Sequence, residues 1–529
     1  MHVPFLLHDF LKRAVYHYPR KTAVIDGERR FTYTEIQKRV NRLSNAMRER
    51  GIRKGDRVAV LSPNRLEMYE TFYAAFQIGA VVVPFNTRLV PADYEYIVNH
   101  SGAAMFMVDA ELAPLIEPVL EKFSTVQTYV TLPVDGFETN ADWLSYDAMI
   151  ESASENAVYE EMEETDMATI LYTSGTTGRP KGVIQTHRSL YNNALNTIIH
   201  LRAEDEDVLL HTLPMFHVNG WGTPFSFTGM GATHVMLRKI DPPLITRLIV
   251  EEGVTVACMA PTVLNMIFND PSAKQATIKQ PVRVVLAGSA PPPSFVKAVE
   301  NELGWTFVQV YGMTEVSPFL TVSHIKKAIR DENDMDRIHR LKAKAGMSML
   351  MMEVRVVNED GEDIEPNGEE VGEVICRSNS VMDGYWLQPE ETARAIVNGW
   401  YHTGDMATLD ENGYIDIVDR KKDIIISGGE NISSIEIEGT LYEHPAVLEA
   451  AIIAIPHEKW GEVPHAVCVL REGQTATEQD IISFCRERMA HFKCPKSVQF
   501  VAELPKTASG KIQKVVLREP FWENGRRVN

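Results

Sequence analysis

Two stretches of the sequence alternate short apolar runs with longer segments of helical periodicity. The first stretch, residues 31–109, predicts strands at 57–61, 80–84 and 104–108 and helices at 33–50, 65–78 and 91–100. The second stretch, residues 207–310, predicts strands at 208–212, 233–237, 255–259, 283–287 and 306–310. Such alternation is typical of βα units that build mostly parallel sheets. We therefore predict an α/β protein whose large N-terminal domain contains two stacked βα sheets.

The sequence changes character after these stretches. Strand-like runs at 353–357 and 372–377 flank a turn-rich segment, which favours antiparallel pairing and predicts a small β-barrel layer. A charged segment then precedes predicted helices and strands at 435–444, 447–455, 465–470 and 477–489. A chain of 529 residues is long enough for two or more domains. We place an N-terminal domain at residues 1–419 and an α+β C-terminal domain at residues 420–529.

Composition excludes several functional classes. Lysine and arginine number 53 against 72 aspartates and glutamates, a formal net charge of −19, which repels a nucleic-acid backbone and requires any phosphate ligand to be held locally. The five cysteines form no CxxC pair, which indicates reduced thiols and a cytoplasmic protein. No apolar run reaches the roughly 20 residues that a transmembrane helix needs. Residues 1–20 are typical of an amphipathic helix rather than a secretory signal, so we expect no stable membrane insertion.

The strongest chemical signal is the loop at residues 172–182, which reads Tyr-Thr-Ser-Gly-Thr-Thr-Gly-Arg-Pro-Lys-Gly. Its glycines let the backbone approach a ligand closely, its hydroxyl and amide groups donate hydrogen bonds, and Arg179 and Lys181 add positive charge. This combination suits a polyphosphate. The loop is not a Walker A motif, because Lys181 is followed by glycine, and residues 229–234 lack the last glycine of a dinucleotide fingerprint. A P-loop kinase and a Rossmann dehydrogenase are therefore disfavoured.

This loop is similar to the signature of the acyl-adenylate-forming enzymes, which include acyl-CoA synthetases, aryl-CoA ligases, luciferases and peptide-synthetase adenylation domains. Further motifs match that superfamily in its order along the chain: Leu-Pro-Met-Phe-His at 213–217, Tyr-Gly-Met-Thr-Glu at 311–315, Gly-Tyr-Trp at 384–386, Trp-Tyr-His-Thr-Gly-Asp at 400–405, Asp-Arg-Lys-Lys-Asp at 419–423, Gly-Gly-Glu-Asn-Ile at 428–432 and Ser-Gly-Lys-Ile at 509–512. The chain most resembles bacterial medium- and long-chain fatty acyl-CoA synthetases. This resemblance implies an ATP-dependent ligase that makes an acyl-adenylate and then an acyl-CoA, with ATP, Mg²⁺ and coenzyme A as cofactors.

The resemblance also implies which residues bind the cofactors. Those expected at the nucleotide and coenzyme A are Ser174, Gly175, Thr176, Thr177, Gly178, Gly288, Ser289, Ala290, Tyr311, Gly312, Thr314, Asp405, Arg420, Lys422, Gly428, Gly429 and Asn431. A carboxylate such as Asp405 suits the two ribose hydroxyls, with Arg420 as a second nucleotide contact. Glu315 and Thr173 are the expected ligands of Mg²⁺, a hard cation that prefers oxygen and bridges phosphates.

Lys511 lies in a polar loop near the C-terminus, where a point charge can reach an acyl-phosphate transition state. By resemblance it is the adenylation lysine; the other implied catalytic residues are His217, Thr173, Lys181 and Glu315. The distance in sequence between Lys511 and Lys181 implies a mobile C-terminal domain. That domain is expected to rotate about Lys422 between two half-reactions and to bring residues 428–431 to a pantetheine channel.

The acyl pocket is the least constrained part of the site. By resemblance His217 lines the carboxylate entrance and Trp221 gates an acyl tunnel, with Val218, Gly312 and Met313 also at the substrate. No acidic residue lies between positions 214 and 223 to hold an ammonium group, which disfavours amino-acid substrates. We expect a medium- or long-chain fatty acid, with an aryl or short thioether acid as the alternative. Free coenzyme A is the expected acceptor, since no carrier domain follows.

Two functions of other classes compete with this interpretation. A luciferase-like oxygenase would form the same adenylate and then consume oxygen. A non-catalytic nucleotide-binding relative is expected to lose Lys511, Glu315 or Lys181, and all three are present. The methionine-rich stretch 347–352 and Ser434, at a position where the superfamily usually has proline, depart from its pattern away from the catalytic positions. A homodimer is compatible with the sequence.

Overall fold

The computed structural model describes residues 1–138, 140–173, 179–288, 291–428, 430–506 and 512–522, with Asn431 described by its backbone alone. Its α-helices are α1 His8–His17, α2 Tyr33–Glu49, α3 Leu66–Gln77, α4 Pro91–Ser101, α5 Tyr146–Glu151, α6 His187–Leu201, α7 Val218–Trp221, α8 Thr223–Met230, α9 Pro242–Glu251, α10 Pro261–Asn269, α11 Pro271–Gln275, α12 Pro293–Ala298, α13 Lys327–Asp331, α14 Met335–Ala343, α15 Pro389–Ala395, α16 Ser434–Tyr442, α17 Glu478–Arg486 and α18 Lys514–Arg518. None of the described helices is long and apolar enough to cross a bilayer.

The strands fall into four sheets. They are β1 Thr22–Asp26, β2 Arg29–Thr32, β3 Arg57–Leu61, β4 Val81–Phe85, β5 Ala103–Asp109, β6 Thr128–Leu132, β7 Leu144–Ser145, β8 Met167–Thr173, β9 Lys181–Thr186, β10 Val208–His211, β11 Thr233–Met236, β12 Val256–Met259, β13 Arg283–Leu286, β14 Thr306–Gly312, β15 Phe319–Val322, β16 Met347–Ser348, β17 Glu353–Val357, β18 Gly372–Arg377, β19 Gly384–Tyr385, β20 Ile396–Val397, β21 Trp400–Leu409, β22 Ile415–Arg420, β23 Ile425–Ser427, β24 Glu430–Ile432, β25 Val447–His457, β26 Gly461–Leu470 and β27 Ser497–Phe500.

The first sheet has eight strands in the order β19-β9-β8-β4-β3-β5-β6-β7. Strand β3 pairs in parallel with both β4 and β5, which confirms the βα units predicted for the first stretch. Every residue of β4 is buried, as expected for a parallel strand that is covered on both faces. Strands β8 and β9, in contrast, pair antiparallel and form a hairpin.

The second sheet has nine strands in the order β16-β15-β14-β13-β12-β10-β11-β1-β2. Its central strands β11, β10, β12, β13 and β14 are parallel, and they are the five strands predicted for the second stretch. Ligands of open parallel sheets bind beyond the carboxyl ends of the strands. The segments that follow β10, β13 and β14 therefore leave the sheet at the edge where a ligand is expected.

One hydrophobic core joins the two sheets, which confirms that they are stacked. It contains Val60 of the first sheet and Met236 of the second, together with side chains of α1, α2, α3, α6 and α8. Helix α2 begins with a capping box between Thr32 and Glu35, in which each side chain accepts a hydrogen bond from the backbone of the other residue. Helix α3 is buried along its whole length because it lies inside this core.

The remaining two sheets complete the fold. Strands β17, β18, β20, β21 and β22 form an antiparallel layer, the small β layer that the turn-rich segment predicts. Near the C-terminus, β23 to β27 form a five-stranded sheet built around the long β25–β26 hairpin and packed with α16 and α17. All five cysteines are buried free thiols. The domain boundary after residue 419 stays a prediction.

Candidate active site

Strands β8 and β9 pair as a hairpin, and the glycine-rich segment connects them in the sequence. Thr173 at the end of β8 is paired with Lys181 at the start of β9, so the register places these two residues side by side at the base of the loop. Lys181 forms an ion pair with Glu391, and its ammonium lies 5.0 Å from the centre of the Tyr385 ring. The lysine is thus held by one carboxylate and one aromatic face, both of which a polyphosphate can replace or supplement.

Glu315 belongs to the short 3₁₀ turn Thr314–Val316, which follows the carboxyl end of β14. The hydroxyl of Tyr385 donates a hydrogen bond to Glu315 Oε1 at 3.1 Å, and the amide of Met382 donates to its carbonyl oxygen at 2.8 Å. Burial, reinforced by the charge of Glu315, raises the pKa of the Tyr385 hydroxyl far above its ordinary range. Tyr385 therefore stays a neutral donor to the Glu315 carboxylate.

Tyr311, Asp405 and Arg420 form a second polar cluster. The Tyr311 hydroxyl donates to Asp405 Oδ2 at 2.8 Å, and Arg420 Nε lies 3.2 Å from Asp405 Oδ1. Asp405 and Arg420 are directly paired across strands β21 and β22. The Asp405 side chain is only 7% exposed, and burial together with this carboxylate raises the pKa of the Tyr311 hydroxyl well above its ordinary value. The β layer thus presents a fixed carboxylate beside the end of β14.

The segment after β10, labelled α7 above, is a left-handed turn and not a right-handed α-helix. Its successive φ values are positive: 48° at Val218, 51° at Asn219, 58° at Gly220, 62° at Trp221 and 71° at Gly222. The amide of Gly220 donates to the carbonyl of His217 at 3.0 Å, and the amide of Gly222 donates to the carbonyl of Asn219 at 3.0 Å. A β-branched valine in this region is strained, and such strain is typical of functional sites.

The left-handed turn buries Trp221. Its ring packs edge-on against Phe319 with centroids 5.5 Å apart, and only 6% of the residue is exposed. Asn193 of α6 donates to the carbonyl of Trp221 at 3.3 Å and accepts from the amide of Phe319 at 3.5 Å. Val218 is buried in the same hydrophobic cluster, while His217 is half-buried. The predicted pocket residues after β10 therefore form a packed wall.

Gly312 and Met313 lie between Tyr311 and the Glu315 turn, and Gly312 is paired with Phe319 of the wall. A Cβ atom on Gly312 would lie 1.8 Å from the carbonyl oxygen of Pro318, so only glycine fits. The amide of Met313 donates to that same carbonyl at 2.9 Å. Both residues are half-buried and lie beside the Glu315 turn, where the sequence places them.

The family of the chain can be determined from this framework and from direct comparison. The AMP-binding enzyme family matches residues 11–386, and the AMP-binding enzyme C-terminal domain matches residues 436–511. The chain belongs to the AMP-binding enzymes. Membership of the acyl-adenylate-forming superfamily is thereby confirmed, as is the α/β fold class.

Individual relatives of this AMP-binding enzyme are CoA ligases. It is 38% identical over 517 residues to 4-hydroxybutyrate–CoA ligase 2 of Metallosphaera sedula, a match that covers 96% of this chain and 93% of that protein. It is 37% identical over 533 residues to a peroxisomal butyrate–CoA ligase of Arabidopsis thaliana, covering 98% and 93%. The crystal structure of the anthranilate CoA ligase AuaEII with anthranoyl-AMP matches with a TM-score of 0.89 at 26% identity and covers 98% of both chains.

These findings confirm that the enzyme is an acid–thiol ligase that uses ATP and coenzyme A and proceeds through an acyl-adenylate. The identity of the acid, the requirement for Mg²⁺ and a cytoplasmic location stay predictions. The described residues contain no group of three or more His, Cys, Asp and Glu side chains arranged for a metal ion. A single carboxylate such as Glu315, completed by phosphate oxygens and water, is nevertheless the coordination that Mg²⁺ commonly accepts.

The C-terminal part contains the predicted coenzyme A residues. Gly428 has a φ of 63°, and a Cβ atom there would lie 2.7 Å from the indole of Trp460, so the position requires glycine. Its amide donates to the carbonyl of Trp460 at 2.8 Å. Lys422 is half-buried, and burial, reinforced by Arg420, lowers the pKa of its ammonium. Asn431 lies in β24.

Several predicted residues fall outside the part of the chain that the structure describes: Ser174, Gly175, Thr176, Thr177, Gly178, Ser289, Ala290, Gly429 and Lys511. Their roles stay predictions. Neighbouring residues are described. Gly288 is exposed after β13 with a φ of 108°, and the Arg179 guanidinium lies 5.1 Å from the centre of the Tyr96 ring.

Four further residues contact the predicted site residues. Tyr385 belongs to the Gly-Tyr-Trp motif at 384–386, so the motif match could have identified it. Glu391 pairs with Lys181, but the sequence gives no sign of this pairing, because Glu391 is one of two adjacent glutamates on a short helix with no buried residue. The sequence gives no sign of Gln185 and Asn219 either, because neither residue type nor spacing predicts that their side-chain amides form a hydrogen bond inside the protein.

Proposed function

We propose that this acid–thiol ligase activates a short-chain or aromatic carboxylic acid rather than a medium- or long-chain fatty acid. The observation that carries the proposal is the burial of Trp221 against Phe319, four residues after His217 along the chain, because a ring fixed there would limit the length of the acid. The printed activities of the relatives, on 4-hydroxybutyrate, butyrate and anthranilate, support the same choice. The pocket wall is apolar and uncharged, which suits a small alkyl or aryl group.

In the proposed first half-reaction, a carboxylate oxygen of the acid attacks the α-phosphorus of ATP, and pyrophosphate leaves. Lys181 and Arg179 would bind the phosphate oxygens, and Lys511 would offset the charge that develops on the transferring phosphoryl group. Glu315 and Thr173 would hold Mg²⁺, which supplies Lewis-acid stabilisation of phosphate charge when bound. For Lys181 this requires exchange of the Glu391 carboxylate for a phosphate, and both partners are at least one-fifth exposed.

The other predicted residues would orient the substrates. Asp405, fixed by Tyr311 and Arg420, would accept hydrogen bonds from the ribose hydroxyls. His217 would lie at the carboxylate of the acid. Positioning of this kind is the main contribution that a protein makes to such a displacement.

In the proposed second half-reaction, the thiolate of coenzyme A attacks the acyl carbon, AMP leaves with the bonding electron pair, and the thiol proton passes to solvent. The C-terminal domain would rotate about Lys422 between the two steps and bring Gly428 and its neighbours to the thiol. Glycine at this position leaves the backbone accessible beside Trp460.

The test is a panel of acids from acetate to palmitate, with 4-hydroxybutyrate, benzoate, cinnamate and anthranilate, supplied with MgATP and coenzyme A. We expect coenzyme A-dependent AMP release to be highest either for an acid with a chain of about six or fewer carbons or for an aromatic acid, because a pocket that fits butyrate is small. A maximum at palmitate would contradict the proposal. Oxygen uptake would indicate a luciferase-like reaction, and no AMP release with any acid would indicate a nucleotide-binding relative without this activity.

A further inference from the structure

A chain of hydrogen-bonded, buried polar side chains connects two turns of the candidate site. Asn219 Nδ2 donates to Gln185 Oε1 at 2.8 Å and to Thr169 Oγ1 at 3.1 Å, and Thr169 Oγ1 also donates to Gln185 Oε1 at 3.1 Å. Gln185 Nε2 donates in turn to the carbonyl oxygen of Thr314 at 2.9 Å. Thr169, Gln185 and Asn219 are fully buried. Water therefore does not compete for these bonds.

The two ends of this chain lie in different parts of the site. Asn219 is the second residue of the left-handed turn that carries Trp221, two residues further along. Thr314 begins the 3₁₀ turn that carries Glu315. Gln185 belongs to neither turn, since it lies on β9. A single amide side chain thus connects the wall of the acid pocket to the turn predicted to bind MgATP.

The left-handed turn needs such a contact more than an ordinary turn does. Residues with positive φ persist only where the surrounding structure fixes them, and Val218 has the least tolerated side chain of the five. Gln185 holds the turn by accepting a hydrogen bond from the Asn219 amide, and Asn193 holds it by donating one to the carbonyl of Trp221. Of these two contacts, the one through Gln185 continues to the Glu315 turn.

We propose that Gln185 is a positioning residue that couples the acid pocket to the MgATP turn, so that binding of the acid and of MgATP each strengthens the other. This inference rests on the proposed function. A nucleotide that orders the Thr314–Val316 turn would fix the Gln185 amide, which in turn would hold Asn219 and the Trp221 wall in the conformation that binds the acid. Coupling of this kind is reciprocal by thermodynamic necessity.

The experiment measures acid binding by calorimetry with and without a non-hydrolysable ATP analogue and Mg²⁺. In the unsubstituted enzyme the analogue is expected to tighten acid binding by about fivefold or more, the lower end of typical coupling. The Gln185→Leu variant removes all three hydrogen bonds of the Gln185 side chain and keeps an apolar side chain of similar reach. In this variant the factor is expected to fall to near one.

Gln77 provides the matched control. It is also a fully buried glutamine, and its Nε2 donates to Ser44 Oγ at 3.0 Å and Asn41 Oδ1 at 3.2 Å, between helices α2 and α3. The Gln77→Leu variant also removes several hydrogen bonds of a buried glutamine, and Gln77 has no link to either turn. It should lose comparable thermal stability and keep the coupling factor, which separates positioning from general destabilisation.

A double-substitution cycle then tests the route. Asn219→Gly removes the amide and keeps a residue that accepts positive φ. If Gln185 acts through Asn219, the Asn219→Gly change in the Gln185→Leu background should alter acid affinity by less than about twofold, although it weakens binding in the unsubstituted enzyme.

The outcomes are distinct. A coupling factor near one in the unsubstituted enzyme, or an unchanged factor in the Gln185→Leu variant, overturns the inference while the ligase activity stands. Additive effects of the two substitutions also overturn it, because they place Gln185 and Asn219 on separate routes. An unsubstituted enzyme that activates no acid contradicts the proposed function, and the inference fails with it.

Discussion

Arg518 and Asp423 form an ion pair, with 2.8 Å between Nη1 and Oδ1, that joins helix α18 to the charged segment after β22. The same nitrogen donates to the carbonyl oxygen of Lys422 at 3.1 Å. Helix α18 begins at Lys514, three residues after Lys511 in the sequence. The helix next to the predicted adenylation lysine is therefore fixed to the predicted hinge.

Breaking this pair is expected to affect the first half-reaction more than the second. The Arg518→Gln variant removes a mostly buried charged contact and should lower stability by about 1 to 3 kcal/mol. Because α18 would then be less firmly held, pyrophosphate release should slow several-fold, while thioester formation from preformed acyl-AMP should change little. Arg355→Gln, which breaks a more exposed pair with Asp363, is the control and should leave both rates unchanged. Equal slowing of both half-reactions would contradict the expectation.

Removal of the Lys511 ammonium tests the two-step scheme directly. The Lys511→Ala variant should lose adenylation by about two orders of magnitude or more, as expected when one positioned charge that stabilises a transition state is deleted. It should still convert synthetic acyl-AMP and coenzyme A to thioester. Lys506→Ala, which removes a lysine paired with Glu449, should retain adenylation. Stopped-flow measurement of each half-reaction checks both variants, and equal loss of the two halves would refute domain rotation.

Enlarging the pocket at Trp221 should change which acid is preferred. Trp221→Ala removes the ring that packs against Phe319, so longer acids should gain in kcat/KM relative to butyrate. Trp143→Ala, at the edge of the first sheet, removes a ring stacked on Tyr129 and should keep the original order of acids. An unchanged chain-length profile in the Trp221 variant would show that this side chain does not limit the pocket.

The Tyr311 hydroxyl should contribute to ATP binding through Asp405. A hydrogen bond to a charged group contributes about 1.5 to 3 kcal/mol, and because this one is already present without ATP, only part of that energy should appear in ATP binding. Tyr311→Phe should therefore raise the KM for ATP by about threefold to tenfold. The KM for the acid should change much less. Tyr414→Phe is the matched control. The Tyr414 hydroxyl donates a hydrogen bond of 2.7 Å to the carbonyl of His324, and neither residue belongs to the site. Equal KM values for ATP in the two variants would contradict the assignment of Asp405.

Buried histidine predicts the response of stability to acid. Burial lowers the pKa of His187 from 6.5 to about 3, and its Nδ1 accepts a hydrogen bond from the amide of Leu7 at 3.2 Å. Below pH 6.5 the unfolded chain therefore gains a proton that the folded chain does not, and stability falls as pH falls toward about 3.

The predicted slope can be measured by urea unfolding between pH 7.5 and 4. His187→Asn keeps an acceptor for Leu7 and removes the titration, so the slope should decrease by up to about 1.4 kcal/mol per pH unit. His17→Asn, on the exposed end of α1, serves as control. An identical slope in the His187 variant and the unsubstituted enzyme would contradict this prediction.

Periodicity and motif order predicted much of the framework. Strand β3 begins and ends where predicted, at Arg57 and Leu61, and its residues 58–61 are apolar and buried, as is typical of a central parallel strand. The positions of the motifs after β10 and β14 followed from the strands that precede them. Periodicity did not predict the left-handed turn at Val218, because intrinsic preference opposes it and only tertiary contacts stabilise it.

Periodicity and glycine-rich motifs are local properties of the chain, and they predicted the α/β class, the parallel strands β3 to β5 of the first sheet and β10 to β14 of the second, and the acid–thiol ligase family. Which distant side chains meet depends on the tertiary structure. The ion pair of Lys181 with Glu391, the edge-on packing of Trp221 on Phe319 and the bridge from Gln185 to Thr314 each join residues from separate strands or loops. Such contacts depend on how whole helices and strands pack against each other. Residue type and spacing along the chain do not predict that packing.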